Sequence, residues 1–539
     1  NYCLNLPYNE DASDYSAVTT TYFDNTTSEI NHIKTELNNL NTEYKNIKEQ
    51  TFDFSLNTGY IALIGLNGSG KSNLLEAISI IFDKLINQQS DKIPFEFKVS
   101  YALGEHVYSI TKENVQKDGN QCNPNDAEYP SSLIACYSGE DLRLWHKAFE
   151  EYHMGYFNNA VKKVYSIPRL LYVNKYCWKI AFIALVCSNN QTIKDFLSSS
   201  LHISYPSEVE LEFNFQDNKK EIFTKHAALT WFNRITSGGA QVNLNRVATT
   251  DVEIEARVMA EAEKARYIFN FLYLLTQPQK NEKNRIDKLI DDIKISVNHD
   301  NKSINFDDLS EGEKKLILIE CITKVLGDEN ALILLDEPDA HTHIAMKKDL
   351  LKAISDFNGQ TIMTTHSPMF LNKRWNGYEE KNVYYMHEGQ VEETDPLQHL
   401  AELTDNEVDY FEGAFILSSK KILVVEGKYD DKYLRKAIDV WKTRNNQYQK
   451  LDNITIISAN GASAAVEIYN QVLKPNIRVF EKVVFLFDYD DSGWKSGWKK
   501  IDAIPDKGTK IIPMFYQNTY PSPNYPTLDA AVIAENGKK

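Results

Sequence analysis

Tyr60-Ile-Ala-Leu-Ile-Gly-Leu-Asn-Gly-Ser-Gly-Lys-Ser72 decides the fold. Five apolar residues predict a buried strand. Gly65, Asn67, Gly68, Ser69, Gly70, Lys71 and Ser72 then complete the pattern Gly-x-x-x-x-Gly-Lys-Ser. A helix pattern follows from Ser72 to about Lys84. Strand, glycine-rich turn and helix are the context in which this pattern cradles phosphates. The glycines let backbone N–H groups turn inward. Lys71 can reach the β- and γ-phosphates of a nucleotide, and the Ser72 hydroxyl can ligate Mg²⁺. ATP and Mg²⁺ are the expected cofactors.

Upstream, residues 28–48 read as a polar amphipathic helix, and Phe52-Asp-Phe-Ser-Leu56 as a strand. Downstream, 98–111 read as strands and 115–130 as a polar loop. From about 140 to 290 the pattern is largely helical with aromatic faces. Strand character returns at Ala331-Leu-Ile-Leu-Leu-Asp-Glu-Pro338 and Thr361-Ile-Met-Thr-Thr-His366. A fresh alternation of strands and helices begins at Lys420, which predicts a second parallel sheet. No internal repeat is found.

The run ending at Pro338 supplies a partner for the phosphate loop. Asp336 closes a buried strand, where it can hold Mg²⁺. Glu337 is placed to polarise the attacking water. Leu309-Ser-Glu-Gly-Glu-Lys314 resembles the signature motif of ABC-type ATPases, in the form used by DNA-repair and SMC-like members. The order of P-loop, signature, Asp-Glu strand and His366 is the order of that superfamily. The resemblance implies that Ser310 and Gly312 contact the γ-phosphate held by Lys71 of a second copy, so that the protein works as a homodimer or higher homo-oligomer. It implies that His366 senses the γ-phosphate, and that Asp339 lies in a dimer-contact loop. Ser310 and Glu313 also read as a plain helix-capping box. His341 and His343 could share a metal, but contact with backbone or nucleotide is the better reading. A transporter ATPase would not need the later α/β segment. SMC arms would need sustained heptads, which the sequence lacks. The polar run Tyr137 to Leu144 either lines the ATPase face or is a loop with Arg143 in a surface ion pair.

The 539 residues allow several domains, and 42% hydrophobic residues exclude global disorder. The net charge of −16 does not suit electrostatic wrapping of nucleic acid. Any such binding must use local basic patches and divalent metals. Six scattered cysteines form no CxxC pair, which speaks against a zinc site or a disulfide framework. With no signal peptide and no apolar run longer than Trp178 to Cys187, the expectation is a cytoplasmic protein without a membrane span. The chain starts at Asn1, and is expected to be trimmed.

Two further strands carry acids. Lys421-Ile-Leu-Val-Val-Glu-Gly427 ends in Glu426, with Asp430 at the following helix start. Val483-Val-Phe-Leu-Phe-Asp-Tyr-Asp-Asp-Ser-Gly493 delivers Asp488 and Asp490. Alternation along a strand would let Asp488 and Asp490 grip one ion. Oxygen ligands select Mg²⁺ or Mn²⁺, which suits phosphodiester cleavage. With a turn at Asn460-Gly461, the set resembles the TOPRIM domain. An ABC ATPase followed by TOPRIM is similar to the OLD family of nucleases, including Gabija-type and retron-associated antiphage effectors. The likeness spans about residues 50–110 and 290–515. It implies catalysis by Glu337, Glu426, Asp430, Asp488 and Asp490, and metal held by Ser72, Asp336 and the same four later carboxylates. It also implies a nucleic-acid substrate, DNA favoured over RNA, and a defence partner such as a retron reverse transcriptase with its DNA–RNA product. The family's later acid and lysine find no clear match. Glu535 is a poor candidate, and Lys495 reads better as a solvated helix lysine.

The expected fold class is α/β: an ABC-type P-loop ATPase with a helical insert, then a C-terminal TOPRIM domain. Residues 1–48 would be a helical extension, 49–140 the first ATPase part, 141–290 a mainly helical insert or dimerisation region, 291–415 the second ATPase part and 416–539 the TOPRIM domain. The expected activity is ATP hydrolysis with metal-dependent endonuclease cleavage. The alternative is an ATP-gated sensor or scaffold whose TOPRIM domain does not cut.

Overall fold

The computed structural model describes residues 2–6, 36–38, 44–47 and 403, most of 50–392 and most of 421–516. The chain divides into two compact units. One comprises residues 1–367 with 381–394, the other 368–380 with 395–539. The chain therefore passes between the units three times, and the second unit takes more than the expected 416–539.

The first unit is built on a seven-stranded sheet. Its strands are β1 (Tyr60–Ile64), β2 (Leu133–Tyr137), β3 (Leu170–Val173), β4 (Leu332–Asp336), β5 (Gln360–Thr365), β6 (Val383–His387) and β7 (Gln390–Glu392), in the order β3-β2-β4-β5-β1-β6-β7. All neighbours are parallel except β6 and β7. Strands β1 and β4 are buried along their whole length. Their unbroken apolar runs are what a parallel sheet covered on both faces requires. Helix α1 (Lys71–Ile86) starts directly after the glycine-rich turn and buries Leu74, Leu75, Ile78 and Phe82. Helix α2 (Trp178–Cys187) is apolar except for Lys179. It is buried against α3 (Glu261–Thr276) and α4 (Glu311–Cys321), as a helix with so little polar surface tends to be. Helix α5 (Ile344–Ser355) packs on α4.

Three expectations for this unit need correction. The helix over 28–48 is absent where residues are described: 36–38 form a strand and Tyr44–Ile47 a bridged turn. Strand 36–38 pairs with 50–53 and 98–103 in an antiparallel sheet that also holds 2–6 and 106–111. The described parts of residues 1–48 are thus strand and turn rather than helix; at 36–38 long-range pairing outweighs the local polar helix pattern. The loop at 115–130 contains a small hairpin, 115–117 with 120–121. The stretch 141–290 is not a separate helical insert either. It contributes β3 to the seven-stranded parallel-based sheet, and strands Glu210–Phe215 and Gln241–Asn243 to a separate four-stranded sheet.

The second unit holds a four-stranded, all-parallel sheet. Its strands are β8 (Lys421–Val425), β9 (Ile454–Ser458), β10 (Lys482–Phe487) and β11 (Ile511–Phe515), in the order β9-β8-β10-β11. Helix α6 (Asp430–Arg444) follows β8 and α7 (Ala462–Ile468) follows β9. Ile422, Val424, Ile457, Phe485 and Phe487 form its core with Ala462, Ala465 and Ile501. Among the described residues no helix is long and apolar enough to cross a membrane. Among the described residues, five of the six cysteines, including Cys136 and Cys177, are free thiols.

Candidate functional site

The register of the first sheet assembles the nucleotide site. Ile64 at the end of β1 pairs with Thr365 at the end of β5, so Gly65 and His366 leave the sheet side by side. His366 Nδ1 lies 2.7 Å from the Gly65 carbonyl oxygen. Asp336 ends β4 on the other side of β5, and Thr364 of β5 donates its hydroxyl to Asp336 Oδ1 at 2.5 Å.

The loop is shaped by its glycines at two points. A Cβ on Gly65 would sit 2.2 Å from the Met386 carbonyl oxygen. Gly70, which caps α1, has φ +104°, a left-handed conformation that other residues rarely adopt. Gly68 is also left-handed, while Leu66 and Asn67 are exposed at the loop's tip. Lys71 is almost fully buried. Its ammonium donates to the Gly65 and Leu66 carbonyls at 2.8 and 2.9 Å and to Ser69 Oγ at 3.3 Å. Burial pushes its pKa down to about 8, against the pull of Glu337 and Asp336. An ammonium folded onto its own loop carbonyls is held where phosphate oxygens would be stronger partners, so these residues fit a nucleotide.

The acids fit a divalent cation. Ser72 Oγ donates to Asp336 Oδ1 at 2.9 Å, which pairs two hard oxygen donors. Burial raises the Asp336 carboxyl, while Thr364 and Ser72 pull it back. Glu337 Oε1 lies 2.6 Å from His366 Nε2. The His366 contact is the main cause that holds the Glu337 carboxyl below its usual range. Glu337 has a left-handed φ of 50°, and its N–H donates to Thr364 Oγ1. Thr364 was not legible as a site residue, although the alternation in Thr361-Ile-Met-Thr-Thr365 places it on the face of Asp336.

The signature begins α4. Ser310 is exposed and forms the capping box with Glu313 in both directions. A Cβ on Gly312 would meet Met346 at an ordinary 3.4 Å, so packing within the chain does not demand glycine there. His343 caps α5 by accepting the Ala345 N–H, the backbone role preferred for it over metal binding. Asp339 is buried and paired with Lys347 at 2.9 Å, an inward contact rather than an exposed one. Arg143 pairs with Glu76, a buried carboxylate on α1, rather than a surface one.

In the second unit, the four acids gather at the carboxyl-terminal edge of the parallel sheet, as expected from their strands. Glu426 follows β8 and is buried, and Asp430 opens α6. Strand β10 ends at Phe487, so Asp488 and Asp490 lie beyond it and not at alternate positions on it, which corrects the expected shared grip. Asp490 instead accepts the Gly493 N–H at 2.7 Å at the start of the next helix. Glu426 Oε2 accepts the Asp488 N–H at 3.0 Å, and Asp430 Oδ2 accepts the Gly427 N–H at 2.9 Å and the Tyr516 hydroxyl at 3.2 Å. Tyr516 has no signal in the sequence. Burial, then repulsion from Asp488 and Asp490, raises the Glu426 carboxyl; burial, then Asp430 and Asp490, raises Asp488. Yet among the described residues no three His, Cys, Asp or Glu side chains converge as a metal-binding group. As placed, the Glu426, Asp430 and Asp490 carboxylates each accept at least one N–H or hydroxyl from the protein. Gly461, with φ +131°, donates to the Glu426 carbonyl at the predicted turn. Lys495 is exposed and paired with Asp491, a solvated helix lysine. Glu535 lies outside the described residues.

A family model described as AAA ATPase domain matches residues 36–371. No curated protein matches the chain. Among solved structures, the recombination mediator RecF with ATP is 16% identical, covering 67% of this chain and 99% of that one, with a TM-score of 0.29. The Smc head domain of Pyrococcus furiosus, bound to the C-terminal domain of ScpA, is 14% identical over 69% of this chain and 99% of that one, with a TM-score of 0.27. An ATP-binding cassette of an ABC transporter in its ADP conformation is 13% identical over 71% and 100%, also with a TM-score of 0.27.

Proposed function

We propose that this chain, which belongs to the AAA ATPase domain family, couples ATP turnover in its first unit to cleavage of nucleic acid in its second. Nucleotide binding and ATPase chemistry follow from the family. Lys71 holds the phosphates, Ser72 and Asp336 hold Mg²⁺, and Glu337 orients and deprotonates the attacking water once His366 releases it. The exposed Ser310 supports a composite site closed by a second copy, in the manner of ABC-type ATPases.

The nuclease reading is carried by one observation: Glu426, Asp430, Asp488 and Asp490 all lie at one edge of an all-parallel four-stranded sheet. Their mutual repulsion is unfavourable unless a cation or bound protons offset it. The reading requires Glu426, Asp430 and Asp490 to exchange their N–H and O–H partners for a cation that Asp488 also meets. The TOPRIM resemblance supports a phosphodiester substrate, with DNA favoured, and the OLD-like domain order supports a role in antiphage defence. A second reading, an ATP-gated sensor whose second unit binds without cutting, is favoured by the lack of a converged three-ligand group among the described residues.

One experiment separates the two. The purified protein is incubated with plasmid, linear DNA and tRNA, with and without Mg²⁺ or Mn²⁺ and with and without ATP. Metal-dependent cleavage supports the nuclease; ATP turnover and retained binding without cleavage under any condition support the sensor.

A further inference from the structure

A buried carboxylate that no ATPase motif includes gathers two distant segments of the chain onto the helix that follows the P-loop. Glu76 lies on α1 with its side chain 1% exposed. It takes Lys45 Nζ at 2.6 Å, Arg143 Nε at 3.0 Å, Lys147 Nζ at 3.0 Å and the Tyr44 hydroxyl. Burial alone would raise its carboxyl. The bonds from Lys45, Tyr44 and Lys147 outweigh it and hold the carboxyl below its usual range. A buried acid is tolerated only with such partners.

The next residue along connects this cluster to the phosphate cradle. Asn46 Nδ2 donates to the Gly68 carbonyl at 2.6 Å, and Asn73 Nδ2 donates to Asn46 Oδ1 at 2.6 Å. The fit is tight: a Cβ on Gly389 would lie 1.7 Å from the Asn46 carbonyl oxygen, and one on Gly70 would lie 3.2 Å from Asn46 Oδ1. The peptide joining Gly68 to Ser69 is planar and trans, so anchoring its carbonyl on Asn46 points the Ser69 N–H the opposite way. That N–H now reaches the Leu66 carbonyl across the loop at 3.2 Å. It is one of the donors such a loop offers to phosphate.

From this geometry we infer that Glu76 is a positioning residue of the ATPase site, which fixes Tyr44 and Lys45 so that Asn46 sets the orientation of the P-loop peptide at Gly68. Its influence falls on nucleotide affinity and not on the chemical step, because Glu337, His366 and Asp336 lie on other strands.

The test uses the full chain carrying Glu76→Gln, Asn46→Ala, or both. Binding of a fluorescent ATP analogue and KM for ATP are measured beside the single-turnover rate at saturating ATP. Each single variant is expected to weaken affinity about tenfold, the equivalent of one charge-assisted hydrogen bond. The saturating rate stays within about twofold. The double variant is no weaker than the worse single, because both act along one path. Glu151→Gln removes an exposed ion pair from Lys84 on the same helix and leaves affinity unchanged. The inference is overturned by unchanged affinity in a folded Glu76→Gln or Asn46→Ala protein, by a loss confined to the saturating rate, or by an equal loss in Glu151→Gln. If Glu76→Gln does not fold, Asn46→Ala decides alone by the same criterion.

Discussion

Replacing Glu337 with Gln should separate ATP binding from ATP hydrolysis, and the structure sets the size of both effects. Glutamine keeps the shape of the side chain and an oxygen that can face His366. What the ground state loses is the charge on a contact of 2.6 Å whose two side chains are 32% and 36% exposed. Solvent screening at that exposure limits the loss to about 1 kcal/mol. The hydrogen bonds of the phosphate cradle do not run through Glu337, because Lys71, Ser72 and Asp336 bond to Gly65, Leu66, Ser69, Thr364 and each other; Lys71 loses only the electrostatic pull of the Glu337 charge. What the transition state loses is a proton acceptor. Such a loss slows reactions by about 10²- to 10⁴-fold, or roughly 3–5 kcal/mol of barrier. The barrier effect thus exceeds the ground-state effect severalfold. Phosphate release in a single turnover, nucleotide affinity and the melting temperature are measured on the same preparation. The expected outcome is a rate at least a hundredfold lower, with affinity within about fivefold and an unchanged fold. A rate within about threefold of the parent would refute the role assigned to Glu337.

Other outcomes follow from the same geometry. Mixing Lys71→Ala protein with Ser310→Arg protein should restore part of the ATPase, because each mixed pair keeps one intact composite site; no recovery despite demonstrated subunit exchange counts against a shared site. The double change Asp488→Ala with Asp490→Ala should abolish metal-dependent nicking while phosphate release stays within about twofold, and parental nicking would place the nuclease elsewhere. Burial raises Glu320 from 4.5 to about 7. Because the folded pKa is the higher, its stabilising contribution is full below about pH 4.5 and is lost as pH rises through about 7. Glu320→Gln should therefore be more stable than the parent at pH 8, by at most about 3 kcal/mol, and not at pH 5. Equal differences in melting temperature at both pH values would contradict this.

The nucleotide site was legible because its determinants are local. Gly65 to Ser72 encode a turn, a cap and a helix start within one short run, and Ser310 with Glu313 encode a cap. What was not legible depends on distant partners. Residues 36–38 look helical alone and become a strand because 50–53 and 98–103 offer their edges. Leu170–Val173 shows no alternation because it is buried throughout, so its four apolar residues merge with the helical stretches around it. Asp488 and Asp490 looked like alternate strand positions, but the chain turns into a helix after Phe487 and recruits Asp490 to its start. Glu76 gave no signal, since its partners Lys45, Arg143 and Lys147 are scattered along the chain.

The threading of the chain has a consequence for inheritance. Residues 368–380 belong to the second unit, yet 381–394 return to complete the first before 395 leaves it again. No single cut yields both units whole. A break before 368 strips β6 and β7 from the ATPase sheet, and a break after 394 leaves a piece of the second unit stranded on the first. The two units cannot be exchanged between genes by one crossover. Natural or engineered swaps of the second unit must carry two junctions, or bring the end of the ATPase sheet with them.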